Sequence, residues 1–125
     1  MLTDSKAYSG FAAPDLDAAR EFYGDKLGLS VSKIEGAPLL SLDLGSDRST
    51  LIYEKPDHEP ANYTILNFPV ADVEAEVDEL SARGIEFERY DGFDQDEKGI
   101  ERGDGPTIAW FTDPAGNILA VHEDQ

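Results

Sequence analysis

The stretch AWFTDPAGNILAV, residues 109–121, decides how the chain is to be read. Asp113-Pro114 opens a turn, with the φ of Pro114 preset near −65°, and Gly116-Asn117 supplies residue types that accept φ > 0 before the chain reverses. The flanking runs, Trp110-Phe111 and Ile118-Leu119-Ala120-Val121, have the aromatic and branched content of paired strands. A β-hairpin near the C-terminal end follows, and the rest of the chain is read outward from it.

Upstream, the same grammar occurs twice. Tyr8 to Ala13 reads as a strand, and Asp15 is placed to cap a helix. Leu16, Ala19, Tyr23 and Leu27 fall on one face of that helix, and Gly28 stands where a left-handed terminal residue is wanted. Leu29 to Ile34, Pro38 to Leu44 and Ser49 to Glu54 are short strand-like runs parted by turn residues, so the order is βαβββ. Residues 55–62 carry two prolines and no apolar periodicity, which makes them a linker. Tyr63 to Val70 then reads as a strand, Asp72 as the cap of a helix with Val73, Val77 and Leu80 inward, and Gly84 as its end. Ile85 to Tyr90 reads as a strand, Asp91 to Pro106 as a long polar loop, and the hairpin completes a second βαβββ.

The duplication extends to residues. Phe11, Asp15, Leu16, Asp17 and Ala18 match Phe68, Asp72, Val73, Glu74 and Ala75 at a constant offset of 57. One helix can cover only one face of a small sheet, so two such modules are expected to associate through their sheets and leave a cleft. The fold class is therefore α+β. A single domain of two tandem βαβββ modules, at about 7–54 and 63–124, is expected to form a curved mixed sheet around a central cleft.

Composition narrows the function. Ten Lys and Arg against 27 Asp and Glu give a net charge of −17, which repels nucleic-acid phosphates and anionic lipid surfaces. The acidity either attracts a cationic ligand or keeps the protein soluble, as in salt-adapted proteins. With no cysteine there is no disulfide, thiol nucleophile or thiolate metal site. No run reaches membrane-spanning length and no secretory signal is seen, so a cytoplasmic protein without membrane or nucleic-acid partners is the default expectation, and the sequon at Asn62 is taken as chance.

The segments PDLDAAREFYGDKLGL (14–29), FPVADVEAEVDELSARGI (68–85) and WFTDPAGNILAVHE (110–123), with the paired element order, resemble the vicinal oxygen chelate superfamily of glyoxalase I, bleomycin resistance proteins and extradiol dioxygenases. The resemblance implies a homodimer and a small-molecule ligand. It also implies four positions that hold a divalent metal in the enzymes of the superfamily, typically His, Glu, His and Glu. Here they fall on Tyr8, Ile52, Ile65 and Ala120, and a slip of two on the fourth strand puts Glu54 in place of Ile52. A phenol and three hydrocarbon groups are not a ligand set for such a cation, and no metal cofactor is expected.

Two readings of these positions stand side by side. Tyr8, Ile52, Ile65 and Ala120 line a metal-free apolar pocket with the Tyr8 hydroxyl and Asn67 as orienting groups, or they pack the interior. Trp110 stacks on a planar ligand or belongs to the core. His122 shares the face of Ala120 and pairs with Glu54 in a displaced metal site, or it is a polar strand end; His58 is a solvated linker residue. The loop 91–106 is a lid or a mobile solvated connection, and its acidic run is no calcium loop, since Lys98 and Gly105 occupy the fifth and twelfth positions.

The leading expectation is a metal-independent binding protein of the glyoxalase/bleomycin-resistance type that sequesters a cationic or aromatic compound. The alternative is an enzyme of the superfamily, a lyase, isomerase or dioxygenase with relocated ligands or with acid/base groups drawn from Glu54, Tyr8 and His122. A regulatory or structural subunit with a filled cleft is the third.

Overall fold

The computed structural model describes residues 1–103 and 105–123. The chain is α+β and divides into two compact units, Met1–His58 and Glu59–Gln125, with the boundary inside the 55–62 segment. Asp104, in the expected loop, and Asp124, at the expected end of the second module, lie outside the described residues.

In the first unit β1 (Ser9–Ala13) leads through Asp15 into α1 (Leu16–Arg20). The Asp15 carboxylate accepts the N–H groups of Asp17 and Ala18 at 3.0 and 3.1 Å, satisfying donors that have no partner inside the helix. The helix continues as a π-helical segment, Glu21–Lys26, where the sequence periodicity predicts a plain α-helix. The wider turn lets two adjacent aromatic residues face inward together: Phe22 and Tyr23 are both buried, with ring centroids 5.1 Å apart in edge contact. Strands β2 (Val31–Lys33), β3 (Leu39–Gly45) and β4 (Arg48–Glu54) follow, and the sheet order is β1-β4-β3-β2. Here β1 lies parallel to β4 and the other pairs are antiparallel. The Ser46-Asp47 turn joining β3 to β4 has φ of 51° and 62°, the conformation whose twist matches a right-twisted hairpin.

In the second unit β5 (Thr64–Pro69) leads through Asp72 into α2 (Val73–Ala82), and β6 (Ile108–Thr112) and β7 (Ile118–His122) form the C-terminal hairpin. The sheet order is β5-β7-β6, with β5 parallel to β7. Both helices end at a glycine in the left-handed region, Gly28 and Gly84, as their positions in the sequence suggest. The helix face Val73, Val77 and Leu80 is buried, as are Ala109, Phe111, Leu119 and Val121 on alternate positions of β6 and β7. These residues form the core of the unit.

The hairpin turn departs from the expectation in one detail. Gly116 alone has positive φ, at 86°; Asn117 has instead turned inward, 2 % exposed. The carboxylate of Asp113, itself 5 % exposed, accepts the backbone N–H of Ala115 and of Asn117 and the Asn117 Nδ2, each at 2.9 Å. One buried acid thus satisfies three donors of the turn.

A further correction concerns residues 85–90, expected as a full strand. Only a single antiparallel bridge, Phe87 to Phe111, forms there, together with the bond from the Glu88 N–H to the Trp110 carbonyl. The backbone groups that would extend the ladder are taken by a side chain of the following loop: the Tyr90 N–H donates to Gln95 Oε1 and the Glu88 carbonyl accepts from Gln95 Nε2. A local side chain has displaced a strand partner.

Candidate functional site

Strand register assigns faces. Pairing aligns Asn67 with Ala120 and Ala120 with Trp110, so the three form a row across the second sheet, on the face opposite the buried Phe111 and Leu119. One pair along, Ile118 stands opposite Thr112; one pair the other way, His122 stands between Pro69 and Ile108. The register shifts between Thr64 and Leu66, so Thr64 and Ile65 together oppose Ile118, and alternation from Asn67 keeps Ile65 on the same face. Of the residues the sequence singled out, Ile65, Asn67, Trp110, Ala120 and His122 share this face.

The first unit distributes its candidates differently. Tyr8 precedes β1 and is 69 % exposed. Ile52 and Glu54 pair with Phe11 and Ala13, and the Phe11 ring contacts Tyr23 of the helical segment, 5.8 Å between centroids. Ile52 therefore lies on the helix-covered side of its sheet with buried Leu40, while Glu54, two residues on, is exposed at the strand end. Tyr53 is the neighbour that occupies the opposite face, alongside Ala12 and Leu39.

Around Trp110 the second unit builds a recess of about 380 Å³ whose walls are mostly apolar: Tyr63, Tyr90, Phe93, Trp110 and Ile118, with Asn62 and Thr64 at the rim. Phe93 lies nearly parallel to the Trp110 indole, 24° between planes and 5.2 Å between centroids, and Tyr90 meets both rings edge-on at 5.9 and 5.5 Å. Burial, and behind it the charge of Glu88, pushes the Tyr90 hydroxyl above its ordinary range, so it is a protonated, neutral group at physiological pH. The Glu88 carboxylate accepts from the Thr112 hydroxyl at 3.2 Å. Such a recess offers π-faces, two phenols, those of Tyr63 and Tyr90, and a nearby carboxylate, which suits a planar or cationic organic guest.

The loop after Tyr90 is braced, not merely solvated. Ile100 is buried, and Asp96 Oδ1 accepts the N–H groups of Lys98 and Ile100. Lys98 reaches Asp78 at 2.9 Å and Arg102 reaches Glu74 at 2.8 Å, both on α2, and Arg102 also pairs with Asp96. Beside them lies a second, polar recess of about 460 Å³, formed by Asp72, Glu74, Asp78, Arg102, Thr107 and Glu123. Glu123 places its negative charge at the start of α2, its carboxylate accepting the Val73 N–H at 2.8 Å.

Of the recess walls, the sequence singles out Trp110 alone; Tyr63, Tyr90 and Phe93 emerge only from the structure. The available signal was Phe93 itself, an aromatic in an otherwise polar loop.

The donor set at the four positions that the resemblance assigns to a metal does not fit a divalent cation. Ile52, Ile65 and Ala120 have no donor atom in the side chain, and Tyr8 supplies one phenol outside the strands. Among the described residues no group of three or more His, Asp or Glu is arranged to hold a metal ion.

Residues 7–121 match the model of the Glyoxalase/Bleomycin resistance protein/Dioxygenase superfamily, and the chain belongs to that family. No curated protein matches it. Among solved structures it is similar to a glyoxalase family protein from Enterococcus faecalis, with 26 % identity over 98 % of this chain and 100 % of that one, TM-score 0.71. It shares its fold with TnmS3, an antibiotic binding protein from Streptomyces sp. CB03234, at 22 % identity over 98 % of each chain and TM-score 0.73. It also shares it with a bleomycin-binding protein complexed with bleomycin, at 21 % identity over 97 % of this chain and 99 % of that one, TM-score 0.68. Among the described residues no helix is long and apolar enough to cross a membrane.

Proposed function

We propose that the protein binds a planar, aromatic or cationic organic molecule at the recess around Trp110, without a metal ion. The observation that carries this reading is the ring cluster: the only tryptophan of the chain, flanked by Tyr90 and Phe93, forms the wall of an apolar recess on a sheet face whose family metal positions, Ile65 and Ala120, are hydrocarbon. Binding by such walls draws on burial of apolar area and on ring stacking, and a positive charge adds a cation–π term with Trp110 and attraction to a chain of net charge −17. Asn62 and Thr64, which line the recess, are polar groups able to orient the guest, and Asn67 lies farther along the same face, across Ala120 from Trp110. Similarity in fold to an antibiotic binding protein and a bleomycin-binding protein supports a sequestering role. A cytoplasmic homodimer belongs to the same reading, and light scattering behind a sizing column tests the dimer.

The test uses the tryptophan itself. Purified protein is titrated with a panel of cationic and neutral planar aromatics while Trp110 fluorescence is followed. Saturable quenching or a spectral shift by at least one class, abolished in the calorimetric titration of Trp110→Ala, is the expected result. Absence of any saturable response across the panel contradicts the reading.

A further inference from the structure

Phe93 is the wall of the recess that the fold itself does least to hold. It is 49 % exposed at the tip of a loop, and its N–H makes a long bond, 3.3 Å, to the Tyr90 carbonyl. Two residues further on, Gln95 does what strand pairing fails to do in this segment. Its Oε1 accepts the Tyr90 N–H at 2.8 Å, and its Nε2 donates to the Glu88 carbonyl at 2.9 Å and to the Gly99 carbonyl at 2.8 Å. One carboxamide thereby ties the incoming stem, 88–90, to the outgoing stem at Gly99, and the four residues between Tyr90 and Gln95 must close over a fixed span. That closure sets the Phe93 ring against Trp110.

We propose that Gln95 is the positioning residue of the recess: it touches no guest, but it holds Phe93 face-on to Trp110 and so fixes the aromatic wall against which the guest packs. This rests on the binding reading above. The chemistry of the amide is specific, because the site needs one acceptor and two donors on one planar group. A carboxylate of the same length keeps the acceptor and turns both donors into repulsion against two carbonyl oxygens, and an alanine removes all three bonds. One further tie crosses from the incoming stem, the Arg89 guanidinium donating to the Glu97 carbonyl beyond the aromatic half; the remaining anchors lie on the far half, where Asp96 accepts the Lys98 and Ile100 N–H groups, Lys98 pairs with Asp78 and Ile100 is buried. Loss of the Gln95 bonds therefore loosens the aromatic half and leaves the half facing α2 in place.

Because Trp110 is the only tryptophan, its accessibility reads the position of Phe93 with no guest present. Acrylamide quenching and near-ultraviolet circular dichroism are measured on the parent protein, Gln95→Glu, Gln95→Ala and Phe93→Ala, with far-ultraviolet dichroism as the folding control. Both Gln95 variants should raise Trp110 quenching to the level of Phe93→Ala with unchanged secondary structure. Their affinity for proflavine, a planar cationic probe, should fall about two- to tenfold, the worth of one ring–ring contact. If Trp110 stays as protected in both Gln95 variants as in the parent while Phe93→Ala exposes it, Phe93 is placed by something else and the proposal fails. It fails equally if Phe93→Ala leaves the quenching unchanged. If quenching follows the prediction while no planar probe binds any form, the positioning role stands and the binding reading falls.

Discussion

Replacing Asp113 by alanine should do more damage than any surface position of its size. Its carboxylate satisfies three N–H donors at 2.9 Å, and two of them, the backbone N–H and Nδ2 of Asn117, sit on a residue only 2 % exposed. Leaving a buried donor unpaired costs about 1–3 kcal/mol, so the two on Asn117 together cost about 2–6 kcal/mol, centred near 4. The third donor, on half-buried Ala115, is recovered by water and adds little. For a chain of this size about 4 kcal/mol corresponds to a midpoint lowered by roughly 10–20 °C. Asn117→Ala removes only one of the three donors and should cost about 1–2 kcal/mol. The double variant should cost less than the sum of the singles, since the Nδ2 donor then no longer exists to be stranded. Urea denaturation followed by Trp110 fluorescence and by far-ultraviolet dichroism measures all four proteins on the strand that the turn serves. An Asp113→Ala protein within about 1 kcal/mol of the parent, well below the stranded-donor range, would refute the view that this buried acid organises the hairpin.

Three further outcomes are expected. Gly99→Ala places a Cβ 3.3 Å from the Phe87 Cβ and 3.5 Å from the Glu88 carbonyl at a φ of +86°, whereas Gly92→Ala at +88° meets nothing within 4 Å. Both should lose about 1–2 kcal/mol to the left-handed backbone, and Gly99→Ala measurably more in the same urea titration, the excess reporting the contact with residues 87–88. Burial opposes ionisation of Asp96, but the Ile100 N–H, the Arg102 guanidinium and the Lys98 N–H outweigh it and hold this carboxyl below its usual range. A depressed folded-state value means that its contribution is complete above the unfolded value near 4 and is lost as pH falls through the lower folded value, so Asp96→Asn should flatten the stability profile in that acid window. Arg102→Ala breaks exposed pairs with Asp96 and Glu74 and should cost no more than about 1 kcal/mol, a difference that 1 M salt removes on the order of completely.

Much of this molecule is legible in its residues because the deciding signals are local. The caps at Asp15 and Asp72, the terminal glycines Gly28 and Gly84 and the DPAGN turn each act within a few residues, and they recur in the structure with their bonds made. What depends on register is not legible. Ile52 and Glu54 are aligned by counting along β4, and in a strand a shift of one residue exchanges the two faces; the pairing with Phe11 and Ala13 assigns both to the helix side. The segment 85–90 has the composition of a strand, but the competitor for its backbone groups is Gln95, five residues beyond and unremarkable in sequence. The ring cluster joins Tyr90 and Phe93 of the loop to Trp110 of β6, with Tyr63 lining the same recess, and the loop closure that brings Phe93 to Trp110 leaves no mark in the sequence.

The proposed site holds its organic guest at Trp110 with no metal ion. The most direct measurement is calorimetric titration of the tightest-binding planar compound into protein stripped with a chelator, and again after addition of nickel, zinc, manganese or ferrous ion. One saturable event per recess, with the same Kd in every case, is expected. Binding that appears only once a divalent ion is restored would contradict it.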